Sequence, residues 1–206
     1  APNHCLACNG TVEKKEGILC TFCRNTIQKL TIHTKKDNFV AQKFWGKVEL
    51  KYAFAYLQYN KGGVSQKLIH NLKYRGYQEV GLTMGLWYGK DLEESNFDKE
   101  FDLILPVPLH KSRLLTRGYN QSDSFAQGLS EAMEIEWSDK VIIRQLASTT
   151  QTKKGRMDRW KNVEKIFAVT EPELIKNKRI LLVDDVITTG STLEACIQEL
   201  LPHAKE

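Results

Sequence analysis

The sequence predicts an α/β domain of medium size with a small cysteine-rich appendage at its N-terminus, on three observations. Ile180-Leu181-Leu182-Val183 is a short apolar run that ends on two adjacent carboxylates and passes through a hydroxyl-rich turn into a helical pattern. Leu103 to Val107 is a second apolar run, followed by a basic stretch and then another helical pattern. Cys5-x-x-Cys8 and Cys20-x-x-Cys23 form two matched pairs near the start. With 206 residues, 41% of them hydrophobic, the chain can build one such core plus a metal-stabilised appendage. No apolar run approaches membrane-spanning length, so no membrane span is expected.

Residues 1–30 form the appendage. Paired CxxC knuckles present four thiolates tetrahedrally, as structural zinc requires, and Gly10 and Gly17 lie between them where turns are needed. Two disulfides are the competing reading and would suit a secreted mini-domain. Nothing resembling a signal peptide precedes Cys5, so zinc held by Cys5, Cys8, Cys20 and Cys23 in a cytoplasmic protein is expected. Four thiolates leave no open coordination position, which makes the role structural. His4 is read as a neighbour, and Cys196 as a small buried apolar side chain. The sequence opens on Ala1 where an initiator Met would stand, which suggests processing or trimming at that end.

Residues 31–100 are read as a linking or hood region. Thr34 to Asn38 is a polar turn that precedes Phe44-Trp45-Gly46. Tyr52, Phe54 and Tyr56 alternate with Ala53, Ala55 and Leu57, which predicts a strand. After a Gly62-Gly63 turn, Ser65 offers an N-cap to a short helix carrying Leu68, Ile69 and Leu72, closing at Lys73-Tyr74-Arg75-Gly76. A second helix is expected from Glu79 to Tyr88, then a charged loop from Asp91 to Glu100. The formal charge of +5 arises in this half: residues 1–100 hold 15 Lys/Arg against 10 Asp/Glu, and residues 101–206 hold 15 of each. Such an excess suits phosphates or nucleic acid, although a solvated surface is its commoner origin.

Residues 101–206 carry the chemistry. Pro108 ends the ladder pairing of the Leu103–Val107 strand. A loop then holds His110, Lys111, Arg113, Arg117, Gly118, Tyr119, Asn120 and Gln121, ahead of a helix from Ser122 to Met133. Cations between a strand and a helix can hold an anionic group. The richest stretch follows the second strand: Asp184, Asp185, then Thr188, Thr189, Gly190, Ser191 and Thr192, with Leu193, Ala195, Cys196, Ile197 and Leu200 at helical spacing. Backbone N–H groups at a helix start attract an anion, and hydroxyls add donors. The carboxylates would accept hydrogen bonds from hydroxyls of whatever carries that anion, and a sugar phosphate meets both demands. The turn has no Lys, so it is not a Walker A loop. The plainer reading is a solvated strand end with a capping box from Ser191 to Glu194.

From Ile180 to Thr192 the run resembles the phosphoribosyl pyrophosphate (PRPP) signature of type I phosphoribosyltransferases. Cysteine knuckles, Leu68-Ile-His-Asn-Leu-Lys-Tyr-Arg-Gly76, Pro106-Val-Pro-Leu-His110, Arg117-Gly-Tyr-Asn-Gln121 and this signature follow one another in order. Together they look like the ComF family of predicted phosphoribosyltransferases, also called GntX-like, known from DNA-uptake competence. The resemblance spans nearly the whole chain. It implies a Rossmann-type parallel sheet with an N-terminal zinc ribbon, and Mg²⁺ bound together with PRPP. Asp184 and Asp185 would serve the ribose hydroxyls and Mg²⁺, and Thr188, Thr189, Gly190, Ser191 and Thr192 the 5′-phosphate. Pro108, Leu109, His110, Lys111 and Arg113 would form the pyrophosphate loop. Thr149-Thr150-Gln151 through Arg159, Asn162 and Phe167 would correspond to a mobile segment over the site, here with Lys153, Lys154, Arg156 and Lys161 able to cover a polyphosphate. The family continues past the last helix into another strand, so a final sheet element beyond Glu206 is expected to be missing.

The implied activity is Mg²⁺-dependent phosphoribosyl transfer to an acceptor that residues 40–90 do not spell out. Without an N-terminal amidohydrolase Cys, glutamine-dependent amination is not expected. The alternative is a non-catalytic PRPP sensor or single-stranded-DNA-binding module working with competence proteins. Lys73, Tyr74 and Arg75 would then touch DNA or the hood, with Phe44, Trp45 and Tyr77 as exposed stacking platforms.

Overall fold

The computed structural model describes residues 4–13, 16–146 and 166–206. Its helices are α1 (Thr21–Thr26), α2 (Val64–Tyr74), α3 (Gln78–Glu94), α4 (Lys111–Arg117), α5 (Gln121–Met133) and α6 (Ser191–Leu200). Its strands are β1 (Leu103–Pro106), β2 (Ile142–Arg144), β3 (Phe167–Val169) and β4 (Ile180–Val183). β1 and β4 run parallel, Leu103 opposite Ile180 and Pro106 opposite Val183, and Trp137 adds a parallel bridge at Ile104. β2 and β3 pair antiparallel, Ile142 opposite Val169.

The continuous apolar character of β1 follows from burial on both faces. Ile104 packs into a cluster with Leu92 of α3 and Leu129 of α5, whereas Leu103 and Leu105 pack with Phe167, Ile175, Cys196 and Leu200. Alternate side chains of one strand thus supply two cores. At the start of the sheet, Arg179 Nη2 and Nε meet Asp102 Oδ1 and Oδ2 at 2.6 and 2.9 Å, clamping β1 to β4. That bidentate partner holds the Asp102 carboxyl down at about 2.

α3 and α5 approach closely because glycines line their contact. A Cβ at Gly85 would strike the Phe125 carbonyl oxygen, and one at Gly128 the Leu82 carbonyl oxygen. Among the described residues, no helix is long and apolar enough to cross a membrane.

Several elements depart from expectation. Residues 52–57 alternate as foreseen, with Phe54 edge-on to Tyr88 and Phe97 while Ala53 and Ala55 face Leu182 and Ile197. Among the described residues, however, their only strand-type pairing is a bridge from Leu57 to Lys29, so no strand forms there. α2 is capped by Gly63; Ser65 lies inside it, its Oγ accepting the Asn60 N–H at 3.2 Å. α3 runs on to Glu94 because Leu92 is fully buried, which removes Asp91 to Glu94 from the expected loop. Residues 111–117 are helical because His110 provides an N-cap and Gly118, at φ 80°, a left-handed stop. The Ser191–Glu194 capping box does not form, since Gly190 is the N-cap of α6. Phe44, expected exposed, is buried against Val40 and Ile197. Residues 149–165, expected to cover the site, lie outside the described residues, and Phe167 belongs to β3.

Candidate active site and metal centre

β4 delivers Asp184 and Asp185 to the end of the parallel pair, where the Val107 N–H donates to the Val183 carbonyl at 2.8 Å and keeps the two strand exits side by side. Asp184 Oδ1 accepts from Ser122 Oγ at 3.1 Å and from the Asp185 N–H at 2.8 Å. Burial pushes the Asp184 carboxyl up to about 6, and the adjacent Asp185 charge adds to that. Asp185 faces Lys73 of α2, Nζ to Oδ1 3.0 Å, with both side chains largely covered. Lys73 therefore sits with the acidic pair, while its neighbours Tyr74 and Arg75 are exposed. The Tyr119 hydroxyl donates to the Leu72 carbonyl and ties the end of α2 to the turn before α5.

The hydroxyl turn lies just beyond. Thr188, Thr189, Ser191 and Thr192 are exposed, and the Thr189 and Ser191 hydroxyls stand 2.9 Å apart. Gly190 adopts φ 85°, and a Cβ there would press on the Phe44 ring at 3.2 Å. Glycine thus meets two requirements at this point, a left-handed backbone and a close aromatic neighbour. Phe44 lies against the turn, and the Ser191 N–H that opens the ten-residue α6 donates to Thr189 Oγ1 at 3.4 Å.

Across from it, Asn120 caps α5, its Oδ1 accepting the Ser122 N–H at 3.4 Å and its Nδ2 donating to the Val107 carbonyl at 3.1 Å. That bond seats Ser122 against Asp184. His110 Nδ1 accepts the Ser112 N–H at 3.2 Å, which leaves Lys111 and Arg113 exposed on the first turns of α4. Arg144 of β2 is a site neighbour that sequence reasoning missed. Its guanidinium lies 5.3 Å from the centroid of the Phe167 ring, and its Nε donates to the Leu146 carbonyl at 3.2 Å. Burial and then the Arg113 cation lower its pKa, while Cys196 and Asp184 raise it. A lone Arg in a short strand carries no motif; only the fold brings it near Arg113 and Asp184. Ser122 was likewise invisible, because its role depends on the α5 cap.

The four knuckle cysteines converge at the other end of the chain. Their sulfurs lie within 4.8 Å of one another, Cys8 Sγ and Cys20 Sγ 3.7 Å apart, and all are free of disulfides. The Ala7 N–H points at Cys5 Sγ at 3.5 Å and the Gly10 N–H at Cys8 Sγ at 3.4 Å. Burial disfavours the Cys5 thiolate, yet these and neighbouring backbone bonds outweigh it and bring the group down to about 6; burial pushes Cys23 up. Four sulfurs in this cage, with N–H groups turned toward two of them, fit a zinc ion. The cage is anchored to α2 and α3 by Asn71 Nδ2, which donates to the Leu6 carbonyl at 2.6 Å, and by Arg24, 4.6 Å from the Trp87 ring.

Residues 120–205, from the cap of α5 through α6, match the phosphoribosyl transferase domain family. The class is thereby defined: an α/β chain with a phosphoribosyl transferase domain and a cysteine cluster compatible with a zinc ribbon. Its relatives sharpen this. It is 31% identical over 137 residues to the DNA utilization protein YhgH of Escherichia coli K12, covering 65% of this chain and 60% of that protein. It is 39% identical over 106 residues to competence protein F of Haemophilus influenzae, 50% of this chain and 46% of that protein. Over 201 residues it is 26% identical to competence protein ComFC of Bacillus subtilis, 98% of this chain and 79% of that protein. The match thus spans about 60% of the length of YhgH. The chain is homologous to the ComF competence proteins, as its motifs suggested.

Proposed function

We propose that this chain binds PRPP, or another phosphorylated ribose, at the end of β4 and transfers the phosphoribosyl group from it. The observation that carries the reading is the Asp184–Asp185 pair beside an exposed hydroxyl turn at the start of α6, inside the region of family similarity. Asp184 and Asp185 accept the ribose hydroxyls and lie where positive charge develops on the sugar. The N–H groups of α6 and the hydroxyls of Thr188, Thr189, Ser191 and Thr192 hold the 5′-phosphate, Gly190 admitting it closely. Lys111 and Arg113 attend the pyrophosphate from α4, with Arg144 nearby. The donor set fits Mg²⁺: two adjacent carboxylates, one raised by burial, whose compensation comes from Lys73 on the Asp185 side. When bound, Mg²⁺ neutralises charge on the leaving pyrophosphate. Zinc at Cys5, Cys8, Cys20 and Cys23 plays a structural part, and the reduced thiolates it needs suit the cytoplasm. The layout proposed is a knuckle at 1–30, a hood at 31–100 and a PRPP-binding core at 101–206.

Calorimetry with PRPP and Mg²⁺ tests this. Replacing Asp184 and Asp185 together by Asn is expected to weaken binding at least ~10-fold, about 1.4 kcal/mol, with little loss of fold. Unchanged affinity would leave the signature a structural remnant.

A second reading, single-stranded DNA binding, is favoured by Tyr74, which is 68% exposed with the Arg117 guanidinium 5.7 Å from its ring and Arg75 beside it. Aromatic stacking with phosphate neutralisation gives sequence-tolerant affinity. Changing Tyr74 and Arg75 to Ala should weaken strand binding and flatten its salt dependence while PRPP binding is retained. No binding by the unaltered protein at low salt would end this reading.

A further inference from the structure

Residues 38–48 fold against the start of α6, and Asn38 holds their shape. Its Oδ1 accepts the Val40 and Ala41 N–H groups at 2.9 and 3.0 Å, and its Nδ2 donates to the Lys35 and Ala53 carbonyls at 2.7 and 2.8 Å. Both hydrogens and both lone pairs of this buried amide are therefore in use. The bracket fixes one tight helical turn, Ala41–Lys43, which leads directly into Phe44. Val40 and Phe44 pack with Ile197 of α6, and Ile187 and Leu193 close around them. A polar bracket on one side and an apolar cluster on the other thus seat this segment beside the hydroxyl turn.

Two lysines of the segment stand near the turn, and they differ in their partners. Lys47 Nζ lies 3.6 Å from Glu194 Oε2, so it offsets the carboxylate that would repel an anion from the first turn of α6. Lys43 is against the turn itself: a Cβ at Gly190 would lie 3.8 Å from the Lys43 Cβ. Lys43 is half-buried, and among the described residues it has no carboxylate partner. From that distance the flexible stem of a lysine carries its ammonium to an anion seated on the turn.

We infer that Lys43 is the cation of the phosphate site at this turn. Thr188 to Thr192 includes no lysine or arginine and offers only hydroxyls and backbone N–H groups. A phosphate monoester carries about −1.5 to −2 charges at pH 7, and neutral donors bind its oxygens without balancing that charge. Lys43 balances it from a distant part of the chain, while Lys47 keeps Glu194 from opposing it. The pair makes the site selective for a ribose that bears a 5′-phosphate over one that does not. The inference rests on the reading that the turn holds a phosphorylated ribose, and it adds the residue that recognises the charge.

Calorimetric titration of the full chain with ribose 5-phosphate, and separately with PRPP and Mg²⁺, tests this. Lys43→Gln should weaken both ligands at least about 10-fold, because a charge-assisted contact is lost. Lys43→Arg, which keeps the charge, should restore affinity to within about 3-fold of the unaltered protein. Lys47→Gln only uncovers an exposed ion pair, so its effect should stay below about 3-fold. Lys43 is not in the core, and an unchanged Tm for Lys43→Gln confirms that any loss is one of binding. Unaltered protein that binds the ligands, with Lys43→Gln binding them equally well, overturns the role of Lys43 and leaves the reading of the turn standing. Equal losses in Lys43→Gln and Lys47→Gln assign the effect to the general field of the surface and also overturn it. Unaltered protein that binds neither ligand brings down the reading of the turn and this inference together.

Discussion

Asp184 concentrates the conflict between stability and chemistry in one side chain. Its folded carboxyl titrates at about 6 against an ordinary 3.8, because burial opposes its charge. The native state therefore holds a proton that the unfolded chain has released, between roughly pH 4 and pH 6. This group's contribution strengthens the fold as pH falls through that window and is lost as pH rises past about 6. Asp123, also raised to about 6 by burial, adds a slope of the same sign. Asp184→Asn should stabilise the protein at pH 7 by up to about 3 kcal/mol and remove its share of the slope. Denaturant unfolding at pH 5 and pH 7 checks this, and a variant no more stable than the parent at pH 7 would refute it. A side chain whose replacement stabilises the fold, set next to an exposed anion-binding turn, is what a site retained for function looks like. The acidic pair and the hydroxyl turn were legible as residues in order. Ser122 and Lys73 were not, because each reaches the pair from a different element.

Among the elements, the α3–α5 contact depends most on single residues. Gly85 and Gly128 place backbone against backbone, so an added methyl has no flexible partner to displace. Gly85→Ala or Gly128→Ala should each destabilise by at least about 2 kcal/mol by forcing the helices apart. By contrast, Gly76→Ala meets no atom and only opposes a φ of 77°, so its cost should be smaller, about 1 kcal/mol. Thermal unfolding of the three variants ranks them, and equal losses would show that the helices have room to move. Because α5 carries Asn120 and Ser122, damage at this contact should also loosen the site. Element boundaries went astray where tertiary burial or caps decided them. Leu92, fully covered, drew α3 six residues past the expected Tyr88 to Glu94, and the His110 cap turned a basic loop into α4. The strand expected at Tyr52 to Leu57 has the right side-chain alternation but lacks a ladder partner among the described residues.

At the scale of the molecule, the cysteine cage and the sheet are joined through α2. Asn71 of α2 holds the Leu6 carbonyl, while Lys73 two residues later holds Asp185. The purified protein should contain one zinc per chain, and chelation should unfold residues 1–30. Elemental analysis with hydrogen exchange before and after chelation is the check; absence of zinc, or unchanged protection of the knuckles, would reject the assignment. Because α2 is shared, zinc loss should also raise exchange around Leu72 and Lys73.

What the sequence determined by itself was everything carried by local order. The matched CxxC spacing, the apolar runs that end at Asp184 and Val107, and the glycine in the hydroxyl turn each hold their meaning within a few residues, because ligand spacing and strand period are local constraints. The tertiary structure alone decided what faces what: Lys73 on Asp185, Phe44 beneath Gly190, Ser122 on Asp184, and the cavity that β4 shares with Tyr52 to Leu57. Each of those pairings joins residues more than 60 positions apart, where hydrophobic periodicity carries no information about partners. They arise from which faces pack and how closely two glycine-lined helices approach.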